Sequence, residues 1–215
     1  MLRQTCATKI PILISPVLRI TFKAVTVDVP PNAILIFTSE NGVRAFTQSV
    51  PALGRRAFCV GDRTAATAEQ LGFKATSANG DATDLVRLMQ SQNRSECYIF
   101  ACGAEVRVDV AVELKTLGFK AEKVVVYAQE PQPFTQDALD LIASETRVIL
   151  PLFSPRSATL VCDAVQGAPA TFFPVALSQA VAEAWTGKTV PHIARAPDAI
   201  SMITQIATIL SDPSP

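Results

Sequence analysis

A single histidine, His192, stands in the 215 residues, and neither a CxxC pair nor any cluster of Cys and His accompanies it. Structural zinc sites and disulfide frameworks need ligands or partners at short spacing. Cys6, Cys59, Cys97, Cys102 and Cys162 are odd in number and scattered, and read as reduced cysteines of a cytosolic interior. His192 sits in the edge-like run TVPHIA and reads as structural, which removes triad chemistry and most metal-assisted hydrolysis; no metal site is expected. Also missing are GxGxxG after a strand, GxxxxGK[ST], GxSxG and HExxH. An excess of one charge is lacking too, since 19 Lys and Arg balance 19 Asp and Glu. Without a basic face to displace counterions, non-specific nucleic-acid binding is not expected. No apolar run approaches the roughly 20 residues of a membrane span. The opening MLRQTCATKIPILISPVL carries Arg3 and Lys9 ahead of a short apolar run, but Pro11 and Pro16 break it and no small-residue cleavage site follows. It does not read as a signal peptide, and a cytoplasmic protein with no membrane association is expected.

What is present is material for a core: 49% of residues are apolar and 18% charged, which excludes a disordered polyelectrolyte. At about 150 residues per domain the length allows one large or two small domains. From Ala33 onward, short runs rich in Ile, Val and Phe alternate with segments of helical period. ILIF (34–37) precedes a helix over 39–49, AFCV (57–60) one over 62–71, FKAT (73–76) one over 81–90, and CYIFA (97–101) one over 106–117. VVVY (124–127) closes the series. After Pro131 and Pro133 the alternation resumes with RVILPLF (147–153), TFFPV (171–175) and TVPHIA (189–194), with helices from Ser154, Ser178 and Pro197. Strands apolar on both faces and separated by helices predict parallel sheets covered on both sides.

At an offset of 116 residues, Ile36-Phe37-Thr38 falls on Leu152-Phe153-Ser154, and Ala66 and Ala68 on Ala182 and Ala184. Duplication and the generic rhythm of βα units both account for this. Pro30-Pro31 and Pro131 with Pro133 are natural crossing points between units. If both pairs mark one boundary, the segment between them is a domain inserted into another built from the two chain ends.

Most strand-to-helix junctions end in a hydroxyl or acidic residue: Thr38-Ser39, Gly61-Asp62, Gly80-Asp81, Ser154 and Ser178. Taken singly, each reads as a helix N-cap. Taken together, they lie at the carboxyl ends of parallel strands, where open α/β sheets bind ligands and helix N-termini favour anions. Tyr127, at the end of VVVY, is either a strand-end aromatic with a wet hydroxyl or a functional phenol.

FTSENGVRAF (37–46), VGDRTAATAEQLGF (60–73), NGDATDLV (79–86), VVVYAQEP (124–131) and FSPRSA (153–158) occur in order and, with SPVLRI (15–20), resemble segments of the uroporphyrinogen-III synthase family. The resemblance runs from about Ile10 over nearly all of the chain. It implies two flavodoxin-like α/β domains with parallel sheets, one inserted in the other and joined by a two-stranded linker. Residues 1–15 and 132–215 would form the terminal domain, 31–124 the inserted one, and 16–30 with 125–131 the linker strands. The implied activity is a hydro-lyase that closes hydroxymethylbilane, a linear tetrapyrrole with eight carboxylates, to uroporphyrinogen III with loss of water and inversion of ring D, in heme biosynthesis. No cofactor is implied. The implied protein is a monomer, with transient contact with hydroxymethylbilane synthase as a further expectation.

By residue, the family's hydroxyl pair falls on Thr38 and Ser39, the threonine of its Gly-x-x-Thr-Ala turn on Thr64, and its tyrosine on Tyr127 as the catalytic group. Asp62, Arg63, Gly80, Asp81, Ser154 and Ser178 complete the implied substrate-binding set. The second-domain turn departs from the pattern: Leu177-Ser178-Gln179-Ala180-Val181-Ala182 has an aliphatic residue at the threonine position, leaving Ser178 to cap the helix alone. Family members also open with a central strand and helix ahead of the segment equivalent to Ile12-Leu13-Ile14, where only Met1 to Lys9 precedes it here. The terminal domain is expected to lack both elements and to be less stable than a chain extended upstream. A truncated, non-catalytic module binding tetrapyrroles or other polyanions is the alternative function.

Overall fold

The computed structural model describes residues 11–211, and Cys6 with the rest of the opening segment lies outside the described residues. The chain forms two compact α/β units, one spanning Ile20–Glu130 and one made from the chain on either side of it.

In the central unit, β1 (Leu18–Phe22) leads by an irregular segment to β2 (Ile34–Phe37), followed by α1 (Glu40–Ser49), β3 (Arg56–Cys59) and α2 (Asp62–Gln70). Next come β4 (Lys74–Ser77), α3 (Ala82–Met89), β5 (Cys97–Gly103), α4 (Val110–Thr116) and β6 (Lys120–Pro131). The sheet order is β1-β6-β5-β2-β3-β4, and the last five strands are parallel. β1 runs against β6, with the Lys23 N–H donating to Val126 O at 2.7 Å and the Gln132 N–H to Val17 O at 3.0 Å.

The alternation of side chains along β2 explains its all-apolar sequence. Leu35 and Phe37 pack on one face with Val43 and Phe46 of α1; Ile34 and Ile36 pack on the other with Leu85 of α3 and Leu114 of α4. A strand buried on both faces has no position left for a polar residue. Phe37, Phe46 and Phe73 meet edge-on, at 6.0 and 5.4 Å from the Phe37 ring.

Three elements depart furthest from the sequence reading. β6 extends well beyond VVVY in both directions, because its full length finds partners on β5 or β1. The predicted strand over 16–30 is confined to Leu18–Phe22. The helix read over 106–117 begins only at Val110, where Asp109 accepts from the Val112 N–H at 3.3 Å and holds Lys123 Nζ at 2.9 Å. Burial works to raise the Asp109 carboxyl, but Lys123 and the N–H groups of Val112 and Ala111 together outweigh it and hold the carboxyl below its ordinary range. A carboxyl depressed in the folded state stabilises it above the unfolded value of about 3.9, and that contribution is lost as pH falls through the folded value. Asp109→Asn is therefore expected to flatten the acid limb of stability against pH below about pH 4. Urea unfolding across that range checks it, and an acid limb as steep as the parent's would assign the acid sensitivity elsewhere.

The terminal unit contains α5 (Gln136–Ser144), β7 (Arg147–Leu152), α6 (Pro155–Ala164), β8 (Thr171–Ala176), α7 (Gln179–Glu183), β9 (His192–Ile193) and α8 (Ala199–Ser211). Its sheet is parallel in the order β7-β8-β9. The sequence reading passed over α5, and TVPHIA yields only a two-residue strand, with His192 exposed. The constant offset of 116 is also not kept: Glu40 and Pro155 open their helices 115 residues apart, Asp62 and Gln179 117 apart.

Two prolines in this sheet occupy positions that need no N–H. The Thr146 and Leu152 carbonyls accept from the N–H groups of Thr171 and Leu177, so even-numbered residues of β7 point toward β8 and odd-numbered ones away. Pro151 thus faces the edge that is unpaired among the described residues, where a proline breaks no ladder bond. Pro174 of β8 points toward β9 but precedes Val175, the first residue paired there.

Candidate functional site

Each junction after β2, β3 and β4 treats its helix N-terminus differently, and the difference selects the site. Ser39 is extended and its Oγ accepts from the Gly42 N–H at 3.1 Å, capping α1. After β4, Asp81 Oδ1 accepts from the N–H groups of Thr83 and Asp84 at 2.7 and 3.1 Å, and Asp84 accepts from the Asp81 N–H in return. Those N–H bonds lower the Asp81 carboxyl. The α3 end therefore already holds an anion of its own, and Gly80-Asp81 offers few free donors to an external one. After β3, by contrast, the N-cap of α2 is Gly61, which has no side chain to accept anything. The Ala65 N–H turns back to Gly61 O at 3.0 Å, while the first-turn N–H groups of Asp62, Arg63 and Thr64 have no side-chain acceptor among the described residues. An uncapped, positive helix end is suited to a carboxylate.

That end opens into a cavity of about 580 Å³ lined by Ser39, Glu40, Asn41, Arg44, Val60, Gly61, Asp62, Arg63 and Thr64. Of the predicted residues it brings together Ser39, Asp62, Arg63 and Thr64, the last of them buried. Thr38, at the end of β2, does not line it. Gly80 sits behind it, its N–H donating to Val60 O at 3.0 Å. Tyr127 reaches the cavity through Ser39, with Ser39 Oγ and Tyr127 Oη 3.0 Å apart.

Ser154 and Ser178 belong to the terminal unit. Ser154 accepts from the Ser157 N–H at 3.1 Å in a reciprocal box with Ser157, and Pro155 at the first helical position has no N–H. Little of the α6 end is left for a ligand. Ser178 corrects the sequence reading: its side chain makes no capping bond to the five-residue α7, so it does not cap the helix alone. This unit also holds a larger cavity, about 1540 Å³, between residues 11–18 and β7. Its walls are mainly apolar, among them Ile12, Leu13, Val148, Leu150 and Phe153, which fits a polycarboxylate poorly. Among the described residues no group of three or more His, Cys, Asp or Glu could hold a metal ion, and no helix is long and apolar enough to cross a membrane. Cys59, Cys97, Cys102 and Cys162 are free thiols; burial pushes those of Cys59 and Cys102 up to about 12 and about 11, which keeps them protonated.

The family model for uroporphyrinogen-III synthase HemD matches residues 7–204. The chain belongs to the uroporphyrinogen-III synthase family. No protein among the curated sequences matches it. Among solved structures, the uroporphyrinogen-III synthetase of Helicobacter pylori 26695 superposes with a TM-score of 0.70 at 16% identity, over 90% of this chain and 91% of that one. A mutant uroporphyrinogen III synthase of the extremely thermophilic bacterium Thermus thermophilus gives 0.49 at 13% identity, over 91% and 86%. The first of these likenesses establishes a shared α/β fold with a mostly parallel sheet, and the family is one of tetrapyrrole biosynthesis.

To this candidate site in a uroporphyrinogen-III synthase family chain, the structure adds residues that sequence reasoning passed over. Glu40, the first residue of α1, pairs with Arg63 at 2.9 Å, lies 3.9 Å from Arg44, and accepts from Thr67 Oγ1 at 3.2 Å. The only sequence signal was an acidic residue in a first helical turn, where it complements the helix dipole. Glu40 holds two cations that line the cavity, and an incoming carboxylate must compete with it. Glu40→Gln is expected to lower KM about twofold to fivefold, the scale of one exposed ion pair, with kcat little changed. Steady-state kinetics at constant ionic strength check this, and a raised KM would mean that Glu40 organises the arginines for the ligand.

Proposed function

We propose that this chain is a uroporphyrinogen-III synthase that closes hydroxymethylbilane to uroporphyrinogen III with inversion of ring D and release of water. The observation that carries the reading is the uncapped N-terminus of α2 opening beside the Ser39–Tyr127 hydroxyl pair. The first supplies N–H donors for a substrate carboxylate and the second a proton for a departing hydroxyl. In this reading the α2 end, with Thr64 and the Arg63 side chain, anchors a propionate or acetate of the substrate. Carboxylate anchoring fixes the orientation of a flexible chain, which is where the enzyme's control over ring closure arises. Tyr127 donates its proton as the hydroxyl leaves, the role of a general acid. The pyrrole nitrogens supply the reactive electrons. Ser154 and Ser178 are proposed as further contacts from the terminal unit, and the protein as a cytoplasmic monomer that receives its substrate in transient contact with hydroxymethylbilane synthase.

The test is incubation of purified protein with freshly generated hydroxymethylbilane and separation of the products. An enzyme gives the III isomer. Exclusive formation of the I isomer at the spontaneous rate would overturn the proposal and leave a tetrapyrrole-binding module.

A further inference from the structure

Tyr127 is held from two sides, and each hold is unusual enough to require a particular residue. Below the ring, β5 and β6 slip out of register, so that Cys102 pairs with Val125 while Gly103 pairs with Tyr127. A Cβ on Gly103 would lie 2.8 Å from Tyr127 Cζ and 3.0 Å from its Oη. Only glycine lets the ring lie flat on the strand there. The Ala104 N–H donates to Tyr127 O at 2.8 Å, fixing the main chain in the same place. At its tip, the phenol meets Ser39 Oγ at 3.0 Å.

Ser39 Oγ already accepts from the Gly42 N–H. A serine hydroxyl has one hydrogen to give. The helix engages one of the two lone pairs of Ser39 Oγ, and when its hydrogen is directed at Tyr127 Oη the phenol hydrogen is left free to point at a ligand. The position of α1 is equally constrained, since a Cβ on Gly42 would sit 2.9 Å from Ala101 O of β5. The N-terminus of α1 is thus pressed onto the strand that seats the tyrosine.

We infer that Ser39 is a positioning residue for Tyr127: it orients the phenol and donates to its oxygen when the phenol gives up its proton. This rests on the proposed synthase activity. In the step concerned, the C–O bond of the hydroxymethyl group breaks with its electron pair on oxygen. That oxygen takes the phenol proton and leaves as water. The pyrrole nitrogen's electrons fill the vacated carbon, and loss of the N–H proton gives the neutral azafulvene and restores the phenol through solvent. While the phenolate exists, the Ser39 O–H, polarised by the Gly42 N–H and the α1 end, donates to it. Ser39 thereby acts on the reaction through Tyr127, without a contact to substrate.

A double-mutant cycle tests this, with hydroxymethylbilane turnover and the III-to-I product ratio as readouts. Ser39→Ala is expected to lower kcat about tenfold with KM within twofold, and Ser39→Thr to restore most of it. In a Tyr127→Phe background, Ser39→Ala should change kcat by less than twofold, because the oxygen it serves is gone. The lost α1 cap is common to both backgrounds and cancels in the comparison. An equal loss in both backgrounds, or a loss confined to KM, would overturn the inference by showing that Ser39 works on substrate or on the fold. Unchanged turnover in Ser39→Ala would overturn it as well. Absence of III isomer from the parent chain would instead defeat the synthase reading itself, so the two failures are distinguishable.

Discussion

Tyr127→Phe is expected to slow the formation of uroporphyrinogen III by about 10²-fold to 10⁴-fold, the range open to general acid assistance. The substitution keeps the ring that Gly103 accommodates and removes only the hydroxyl that meets Ser39, so melting should move little. In the proposed reaction the azafulvene also forms spontaneously, and the groups proposed to anchor substrate at the α2 end are untouched. A slower enzyme that still favours the III isomer is therefore expected, not a dead one. Single-turnover rates with product analysis make the measurement. A rate within twofold of the parent, with a normal melting curve, would remove Tyr127 from the chemistry and leave catalysis to conformational control of the substrate.

Gly103→Ala should cost both stability and rate. Its Cβ would collide with the Tyr127 ring, which is buried and cannot retreat without disturbing β6. Overpacking of this kind costs about 1–3 kcal/mol, and in a unit of this size that lowers Tm by roughly 4–8 °C per kcal/mol. A displaced ring also loses Ser39, so turnover should fall by about tenfold or more, with the loss in Tyr127→Phe as its limit. Calorimetry and turnover on the same preparation separate the two effects. A fully active, normally melting Gly103→Ala protein would show that the tyrosine has another comfortable position.

The parts of the fold that were legible in the sequence are those set by local burial. β2 reads as ILIF because both faces of the strand are covered, and α1 and α6 announce themselves through Ser39 and Ser154 at their caps. α5 escaped because it buries only Ala138 and Ile142, too narrow a stripe to stand out between two proline-marked segments. α4 was read from Val106, too early, because apolar Val106, Val108 and Val110 ran on into the helical pattern; the start is set by Asp109, which caps the Val112 N–H and is held by Lys123 from β6. In the candidate site, the residue types at strand ends were visible, but the state of each helix end was not. Asp81 and Ser154 consume the donors they were expected to expose, while Gly61, named in the sequence only as part of a junction and a turn, leaves them open. The Glu40–Arg63 pair and the seating of Tyr127 on Gly103 join different secondary elements, and no spacing rule within one element encodes them.

The proline at position 151 has a bearing on how the protein behaves at high concentration. A strand edge with unpaired N–H and C=O groups is a template on which another chain can lay a strand, the first event in many aggregation reactions. β7 is apolar over Val148, Ile149 and Leu150 and would be an attractive template. Pro151 withholds one donor from that edge, while Arg147 at the start of the strand turns to the paired side, over the Phe173 ring of β8 at 4.8 Å. Among the described residues that edge has no partner, and Pro151 at the end of the apolar triplet limits how far a second strand could pair along it.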